Sequence, residues 1–195
     1  MTLDLAIEKI KSYLSSYTLI PPTEFLYFIS LLSIRKLNRG DYFYKQGDEF
    51  KLMGFVVKGL LHNFYIKNEE EITNYFISEG EPATCYANLL TNTPASFNCR
   101  AIENTYLLVI NYEDFKKLYS RHSCWERIGR LGAEKVYIEK ENRESEFLLL
   151  TGEERYHNFV KRNPHLINRV PLNIIATYIG LRPQSLSRIR AKTTK

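Results

Sequence analysis

Cysteine and histidine are scarce in this chain, and their placement excludes several kinds of site. The three cysteines, Cys85, Cys99 and Cys124, are widely spaced and form no Cys-x-x-Cys pair. Iron–sulfur clusters usually need four thiolates, so we expect three reduced structural thiols instead. Among the four histidines only His62 lies in a strand-like segment. A cupin-like metal enzyme needs several converging histidines, so the sequence predicts no metal, no cofactor and no enzyme.

Long hydrophobic runs are also missing, which excludes a membrane-spanning helix of the usual length of about 20 residues. At the N-terminus, Leu3, Ile7, Ile10 and Leu14 recur at helical spacing among charged residues, which is typical of an amphipathic helix and not of a secretory signal. A composition of 44% hydrophobic and 25% charged residues is that of a globular protein. We therefore expect a cytoplasmic protein with no membrane partner.

Acidic residues are nearly absent from the C-terminal end. Residues 150–195 contain nine Lys or Arg and two Glu, a net charge of +7, whereas the whole chain carries +5, which leaves −2 for the rest. A basic end on a near-neutral body is typical of a nucleic-acid-binding module attached to another domain. A solvated basic tail is the alternative, and the helical pattern within the same residues disfavours it.

Residues 169–190 predict two short helices joined by a tight turn. Pro171 suits a first helical turn, and Gly180 supplies the positive φ of a helix end. Pro183 opens a second helix in which Leu186 and Ile189 point inward. The apolar face of the first helix consists of Ile174, Ile175, Tyr178 and Ile179. This is a helix-turn-helix pattern, whose second helix enters the DNA major groove, so the leading hypothesis is a transcriptional regulator.

The exposed side chains of this segment are the candidate DNA contacts. Arg188 is predicted to pair with guanine and Gln184 to read adenine or a neighbouring base. The remaining candidates, expected to hold phosphates, are Arg169, Asn173, Arg182, Ser185, Ser187 and Arg190. A sensor or protein-partner module that has lost DNA binding is the rival hypothesis, because few residues follow the second helix.

Between residues 33 and 111 the pattern changes to short strands and tight turns. The strand-like segments are 34–37, 43–45, 54–57, 60–66, 72–76 and 107–110. Turn sequences such as Asn38–Asp41 and Gln46–Glu49 separate them. Short strands at such close spacing predict an antiparallel β-barrel or β-roll, so the fold class is α+β with an all-α C-terminal domain.

One long helix is predicted over residues 124–150. Its apolar positions form one narrow stripe, which favours pairing with a second copy, although packing on its own domain is the alternative. The stripe consists of Ile128, Leu131 and Ile138, is flanked by Trp125, and includes one polar position, Lys135. Thr151 and Glu154 form a predicted capping box. We therefore expect domains at 1–150 and 151–195, with a hinge at Leu150–Gly152.

This order of elements resembles the Crp/Fnr family of bacterial regulators over nearly the whole chain. The most specific segments are Gly40-Asp41, Gln46–Glu49, Val56–Gly59, Ala176–Gly180 and Leu186–Arg190. The resemblance implies a cyclic-nucleotide-binding-type β-roll, a homodimer joined by the long helix, and promoter DNA bound by the last helix. It also implies RNA polymerase and an unidentified small-molecule effector as further partners.

The sequence departs from that family where cyclic nucleotides bind. Thr84-Cys85 stands where the family has Gly-Glu, and Ala95-Ser96 stands where it has an Arg-led pair. Because a buried monoanion without a cation is costly, we predict that cyclic AMP does not bind with regulatory affinity. The candidate effector pocket is lined by Thr84, Cys85, Tyr86, Asn88, Ser96 and Phe97. It would hold a neutral or aromatic metabolite, or else be filled by its own side chains.

Overall fold

The structure is a computed structural model that describes residues 3–193. Its contacts divide the described chain into two compact units. The first holds residues up to 63 together with 76–135, and the second holds 64–75 together with the residues from 136 onward. The second unit thus includes the tip of a β-hairpin as well as the C-terminal helices. The functional domain boundary at Thr151 remains a prediction.

Eight β-strands form two four-stranded sheets, in the orders β1-β8-β3-β6 and β2-β7-β4-β5. Their bounds are β1 Ser33–Leu37, β2 Tyr42–Tyr44, β3 Leu52–Lys58, β4 Leu61–Lys67, β5 Glu70–Ile77, β6 Pro82–Ala83, β7 Asn98–Ala101 and β8 Thr105–Asn111. Strand β8 pairs antiparallel with both β1 and β3, and β2 pairs antiparallel with β7. The predicted antiparallel β-roll is confirmed, although β6 and β7 lie outside the predicted strand segments.

Eight α-helices surround and follow the sheets within the described residues. They are α1 Leu3–Ser15, α2 Pro22–Ser30, α3 Tyr86–Thr91, α4 Tyr112–Arg121, α5 Ser123–Leu149, α6 Gly152–Arg162, α7 Leu172–Tyr178 and α8 Pro183–Thr193, with a 3-10 turn at Pro164–Leu166. The 27-residue α5 agrees with the predicted long helix. No helix in residues 3–193 is both long and apolar enough to cross a membrane.

The core of the first unit lies where α1, α2, α4 and the start of α5 pack against β3 and β8. Trp125 is fully buried there, and its ring centroid lies 5.0 Å from that of Phe28. The indole N–H donates to Glu24 Oε2 at 3.1 Å, and Arg121 Nη2 donates to Glu24 Oε1 at 3.1 Å. A buried carboxylate is tolerated at this point because it accepts charge-assisted hydrogen bonds.

Candidate functional site

The turn between α7 and α8 ends α7 with two backbone hydrogen bonds. The Leu181 N–H donates to the Ala176 carbonyl at 2.9 Å, and the Gly180 N–H donates to the Thr177 carbonyl at 3.3 Å. Gly180 has φ +70, so the predicted left-handed conformation is confirmed. A Cβ at this position would lie 2.6 Å from Phe147 Cε1. Glycine is therefore required both by the backbone and by the packing of α5.

Helix α8 exposes its polar side chains and buries its apolar ones. Leu186 is fully buried and Ile189 is half-buried. The exposed side chains are Arg182, Gln184, Ser185, Ser187, Arg188, Arg190, Ala191 and Lys192. Helix α8 therefore has the amphipathic arrangement that the sequence predicts, with its basic side chains in solvent.

The basic side chains in and around α8 have no acidic residue near them in the sequence. Asn173 is exposed on the first turn of α7, and Arg169, which precedes α7, is half-exposed and has interaction partners. Arg182 and Arg188 form no ion pair with any residue between 3 and 193. The sequence contains no Asp or Glu after Glu154. Residues 155–195 therefore carry basic side chains and no acidic one, a charge that favours a polyanionic ligand.

The corner between α5 and α6 is fixed by side-chain contacts. Thr151 and Glu154 form the predicted capping box, which is confirmed. Arg162 Nη2 lies 2.6 Å from each Glu146 carboxylate oxygen, and Arg155 Nη1 donates to the Leu150 carbonyl at 2.7 Å. The segment predicted as a hinge is thus bridged on both sides.

Three of the six candidate pocket residues form one hydrogen-bonded group. Asn88 Oδ1 accepts from Cys85 Sγ at 2.6 Å and from Ser96 Oγ at 2.9 Å. Its amide nitrogen donates to Thr93 Oγ1 at 3.0 Å and to the Pro94 carbonyl at 2.7 Å. The Asn88 amide therefore satisfies its hydrogen-bonding capacity within the chain, and burial raises the pKa of the Cys85 thiol.

The other three candidate pocket residues contact other parts of the chain. Thr84 Oγ1 donates to the Leu52 carbonyl at 3.0 Å. The Tyr86 ring packs edge-on against Tyr112, with centroids 6.2 Å apart. The Phe97 ring packs against Tyr44, with centroids 5.8 Å apart. The structure therefore brings together Cys85, Asn88 and Ser96 and gives the other three separate packing partners.

The strand region of the chain matches a known domain family. Residues 34–122 match the family described as "Cyclic nucleotide-binding domain". A comparison with curated proteins finds no match.

Most of the chain is similar in fold to solved structures of bacterial regulators. FixK2 from Bradyrhizobium japonicum is 16% identical, with a TM-score of 0.69 and coverage of 83% of both chains. The catabolite activator protein of Thermus thermophilus is 20% identical, with a TM-score of 0.58 and coverage of 93% of this chain and 86% of that one. CLP, a c-di-GMP responsive global regulator of Xanthomonas campestris, is 14% identical, with a TM-score of 0.68 and coverage of 89% and 92%. These likenesses confirm the Crp/Fnr-type fold.

Within residues 34–122, the arginine nearest in sequence to the Ala95-Ser96 pair is already engaged. Arg100 Nη1 lies 3.5 Å from the Tyr42 hydroxyl, and its guanidinium lies 5.7 Å from the Tyr42 ring centroid. Burial, with a contribution from the Arg100 charge, lowers the pKa of His62 to about 3. His62 is therefore neutral at physiological pH. No group of three metal-ligating side chains that could hold an ion occurs in the described part of the chain.

The five predicted dimer-helix residues fall into two groups along α5. Trp125 and Ile128 are buried in the core of the first unit, so they do not face solvent. Leu131 is half-buried, whereas Lys135 and Ile138 are exposed. Further along α5, Tyr137, Leu148 and Leu149 are more than 60% exposed. The exposed apolar side chains of α5 thus lie after Leu131, beyond the part of the helix that is buried in the first unit.

Sequence reasoning missed Arg143, Thr73 and Thr177, which meet in the second unit. Arg143 and Glu139 are four residues apart, so they lie on one face of α5. That spacing was the only feature of the local sequence that pointed to Arg143. The partners of Arg143 lie 70 and 35 residues away in the chain, beyond the reach of a periodicity argument.

Proposed function

We propose that this protein is a sequence-specific DNA-binding transcriptional regulator that acts as a homodimer on an inverted repeat without cyclic AMP. The observation that carries the proposal is the exposed basic face of α8, where Arg188, like Arg182 just before the helix, has no ion-pair partner between residues 3 and 193. A helix of this kind, held by a tight turn against α7, is suited to the DNA major groove. The fold shared with a global regulator supports the same function.

Two kinds of contact follow from the positions of the side chains. Arg188 and Gln184 lie on the exposed face of α8, where they would reach base edges. The other six candidates would hold backbone phosphates, which fix the register of the protein on DNA. They are Arg169, Asn173, Arg182, Ser185, Ser187 and Arg190.

The exposed stripe of α5 supports the homodimer. Ile138 is 57% exposed and Leu149 is 80% exposed, which is unusual for large aliphatic side chains on one helix. Pairing with a second α5 would bury both and would place two α8 helices on half-sites roughly 34 Å apart. RNA polymerase is a further partner of such a regulator, and a small-molecule effector would be one only if DNA binding required it.

Independence from cyclic AMP is supported by the contacts in the β-roll. The Asn88 amide is satisfied by Cys85, Ser96 and the loop that follows α3, and Arg100 is engaged with Tyr42. A cyclic phosphate would thus meet no unengaged arginine at these positions. Isothermal titration calorimetry with cyclic AMP should show no binding in the micromolar range, and micromolar or tighter binding would contradict this part of the proposal.

Genomic selection tests the function directly. Purified ligand-free protein is incubated with fragmented genomic DNA at about 150 mM salt, since the salt concentration sets non-specific binding. Sequencing of the bound fragments should reveal an inverted repeat with half-sites one helical turn apart. Absence of any enriched motif would favour the alternative, a sensor or protein-partner module of this fold that does not read DNA.

The assigned roles of two arginines make a sharper test. Arg188→Ala should weaken binding to the selected duplex by about 1–3 kcal/mol and relax the base preference at one position. Arg190→Ala should weaken binding to all sequences alike and reduce the salt slope by about one unit. Fluorescence anisotropy on selected and random duplexes measures both effects.

Lys58→Ala is the matched control for charge, because it removes one exposed positive charge from the β-roll. It should leave both affinities within about twofold, since Lys58 lies in the first unit and is not one of the candidate DNA contacts. Equal losses on selected and random DNA for Arg188→Ala would refute the assignment of that residue to a base contact.

A further inference from the structure

The tip of the β4–β5 hairpin, residues 64–75, contacts the end of α7 through two threonines. The Thr73 N–H donates to Thr177 Oγ1 at 3.2 Å, and Thr177 Oγ1 lies 3.0 Å from Thr73 Oγ1. Thr73 is buried, and Thr177 lies on the last turn of α7. Because a buried N–H without a partner is costly, the two residues prefer to stay together.

Arg143 of α5 joins the same two segments. Its Nη2 donates to the Tyr178 carbonyl at 2.9 Å and to the Thr73 carbonyl at 3.4 Å. The guanidinium also stacks on two rings, 4.7 Å from the Tyr178 centroid and 4.9 Å from the Phe147 centroid. A cation at the carbonyl end of α7 is favoured by the helix dipole. One side chain thus links the hairpin, α5 and the turn that precedes α8.

Further contacts secure each end of this arrangement. The Tyr75 hydroxyl donates to Glu139 Oε2 at 2.5 Å, which fixes the hairpin to α5. Arg155 Nε donates to the Ile179 carbonyl at 2.9 Å, and its guanidinium lies 4.8 Å from the Phe147 ring centroid. The turn before α8 is therefore held by two arginines from two helices.

These contacts leave the basic surface accessible. They are made by Thr177, Tyr178 and Ile179 at the C-terminal end of α7, whereas Gln184 and Arg188 on α8 remain exposed. A docked hairpin is thus compatible with DNA binding in this chain. In the β-roll, the Asn88 group and Arg100 already have partners within the chain. The contact of the hairpin tip with α7 would then take the role that an effector has in a ligand-controlled regulator.

We propose that the hairpin tip, through Thr73 against Thr177 and through Arg143, is a positioning element that holds α7 and α8 in the DNA-binding arrangement without an effector. This inference rests on the proposed function. In a two-state description, docking sets the fraction of molecules that are competent to bind, and the apparent Kd rises as that fraction falls.

A disulfide across the contact tests the direction of the effect. In Thr73→Cys/Thr177→Cys the sulfurs would replace hydroxyl oxygens that lie 3.0 Å apart, which is close enough for a disulfide after a small adjustment. The three native cysteines are buried and so do not compete. Each single cysteine variant and the wild type, treated with the same oxidant, are the controls.

The oxidised double variant should bind the selected duplex as tightly as the wild type or more tightly. A loss of tenfold or more that is restored by reduction would overturn the inference, because docking would then oppose DNA binding. Failure to form the disulfide in native protein, while a maleimide reagent labels both introduced cysteines there, would overturn it as well.

Removing the contact gives the complementary result. Thr177→Val keeps the shape but removes the hydroxyl, and it should weaken DNA binding about three- to tenfold, since a lost hydrogen bond is worth about 1 kcal/mol. Hydrogen exchange of residues 172–190 should accelerate in the same variant. Thr177→Ser, which keeps the hydroxyl, should restore both, and Thr91→Val on exposed α3 should change neither.

The outcomes separate the two proposals. If the wild type binds neither selected nor random DNA, the proposed function is refuted. If the wild type binds DNA and Thr177→Val binds equally well with unchanged exchange, only the inference about the hairpin is refuted.

Discussion

Replacing Gly180 by alanine should destabilise the second unit by about 2–4 kcal/mol. A non-glycine residue in the left-handed region costs roughly 1–2 kcal/mol, and Gly180 has φ +70. The added Cβ would also lie 2.6 Å from Phe147 Cε1. The Phe147 ring must then move away from Arg143 and Arg155, and each cation–π contact is worth about 0.5–1 kcal/mol.

Two other glycines separate these contributions. Gly47 has φ +91, and a Cβ added there would meet no atom within 4 Å, so Gly47→Ala should show the backbone cost alone. Gly132 lies within α5 and has open space where a Cβ would stand, so Gly132→Ala should stabilise the protein by up to about 1 kcal/mol. The expected order of stability, from highest to lowest, is therefore Gly132→Ala, wild type, Gly47→Ala and Gly180→Ala.

Urea unfolding followed by two probes measures the effect. Trp125, the single tryptophan, is buried in the first unit, whereas far-UV circular dichroism reports helices of both units. Gly180→Ala should shift the dichroism transition at least as much as the fluorescence transition. A Gly180→Ala variant within about 0.5 kcal/mol of the wild type, the size of an ordinary surface substitution, would refute the reasoning.

Two further predictions concern acid stability. Burial lowers the pKa of His62 to about 3, so between pH 6.5 and pH 3 the imidazole is protonated in the unfolded state but not in the folded state. The free energy of unfolding should therefore fall as pH drops from 6.5 towards 3. The loss should reach about 2 kcal/mol at pH 5 and be removed in His62→Gln; a wild type equally stable at pH 7 and pH 5 would contradict this. Hydrogen bonds from Arg121, and then from Trp125, hold the pKa of Glu24 below 4.5. The ionised Glu24 carboxylate therefore stabilises the folded protein above pH 4.5, and this stabilisation is lost as pH falls through the lowered pKa. Glu24→Gln should therefore be less stable at neutral pH, and its free energy of unfolding should fall less steeply below pH 4.5 than that of the wild type. An equally steep fall in both proteins would contradict the role assigned to Glu24.

Local features were predictable from the sequence. The positive φ at Gly180 follows from a glycine after an apolar helix, and the capping box follows from Thr151 and Glu154 three residues apart. The six predicted strands were found because each contains several strand formers in a row. Strand β6 has two residues and α3 has six, too few for any periodicity to be visible.

The long helix shows where periodicity is ambiguous. Trp125 and Ile128 belong to the same apolar stripe as Ile138, but they are buried in their own unit, whereas Ile138 is exposed. A repeat identifies an apolar face without identifying its partner, because a neighbouring element and a second copy bury the same side chains equally well.

The sequence by itself determined the elements, the helix ends, the basic α8 surface and the resemblance to Crp/Fnr regulators. The elements, the helix ends and the basic α8 surface depend on residues within about one or two turns of one another, where backbone preferences and side-chain spacing act, and the resemblance rests on the order of those elements along the chain. Only the tertiary structure decided which polar groups meet. Thr73 and Thr177 are separated by 104 positions, and the Asn88 amide is satisfied by a loop whose path no local rule specifies. Such contacts form because folding brings polar groups together that are far apart in the sequence, and those that become shielded from water need a partner.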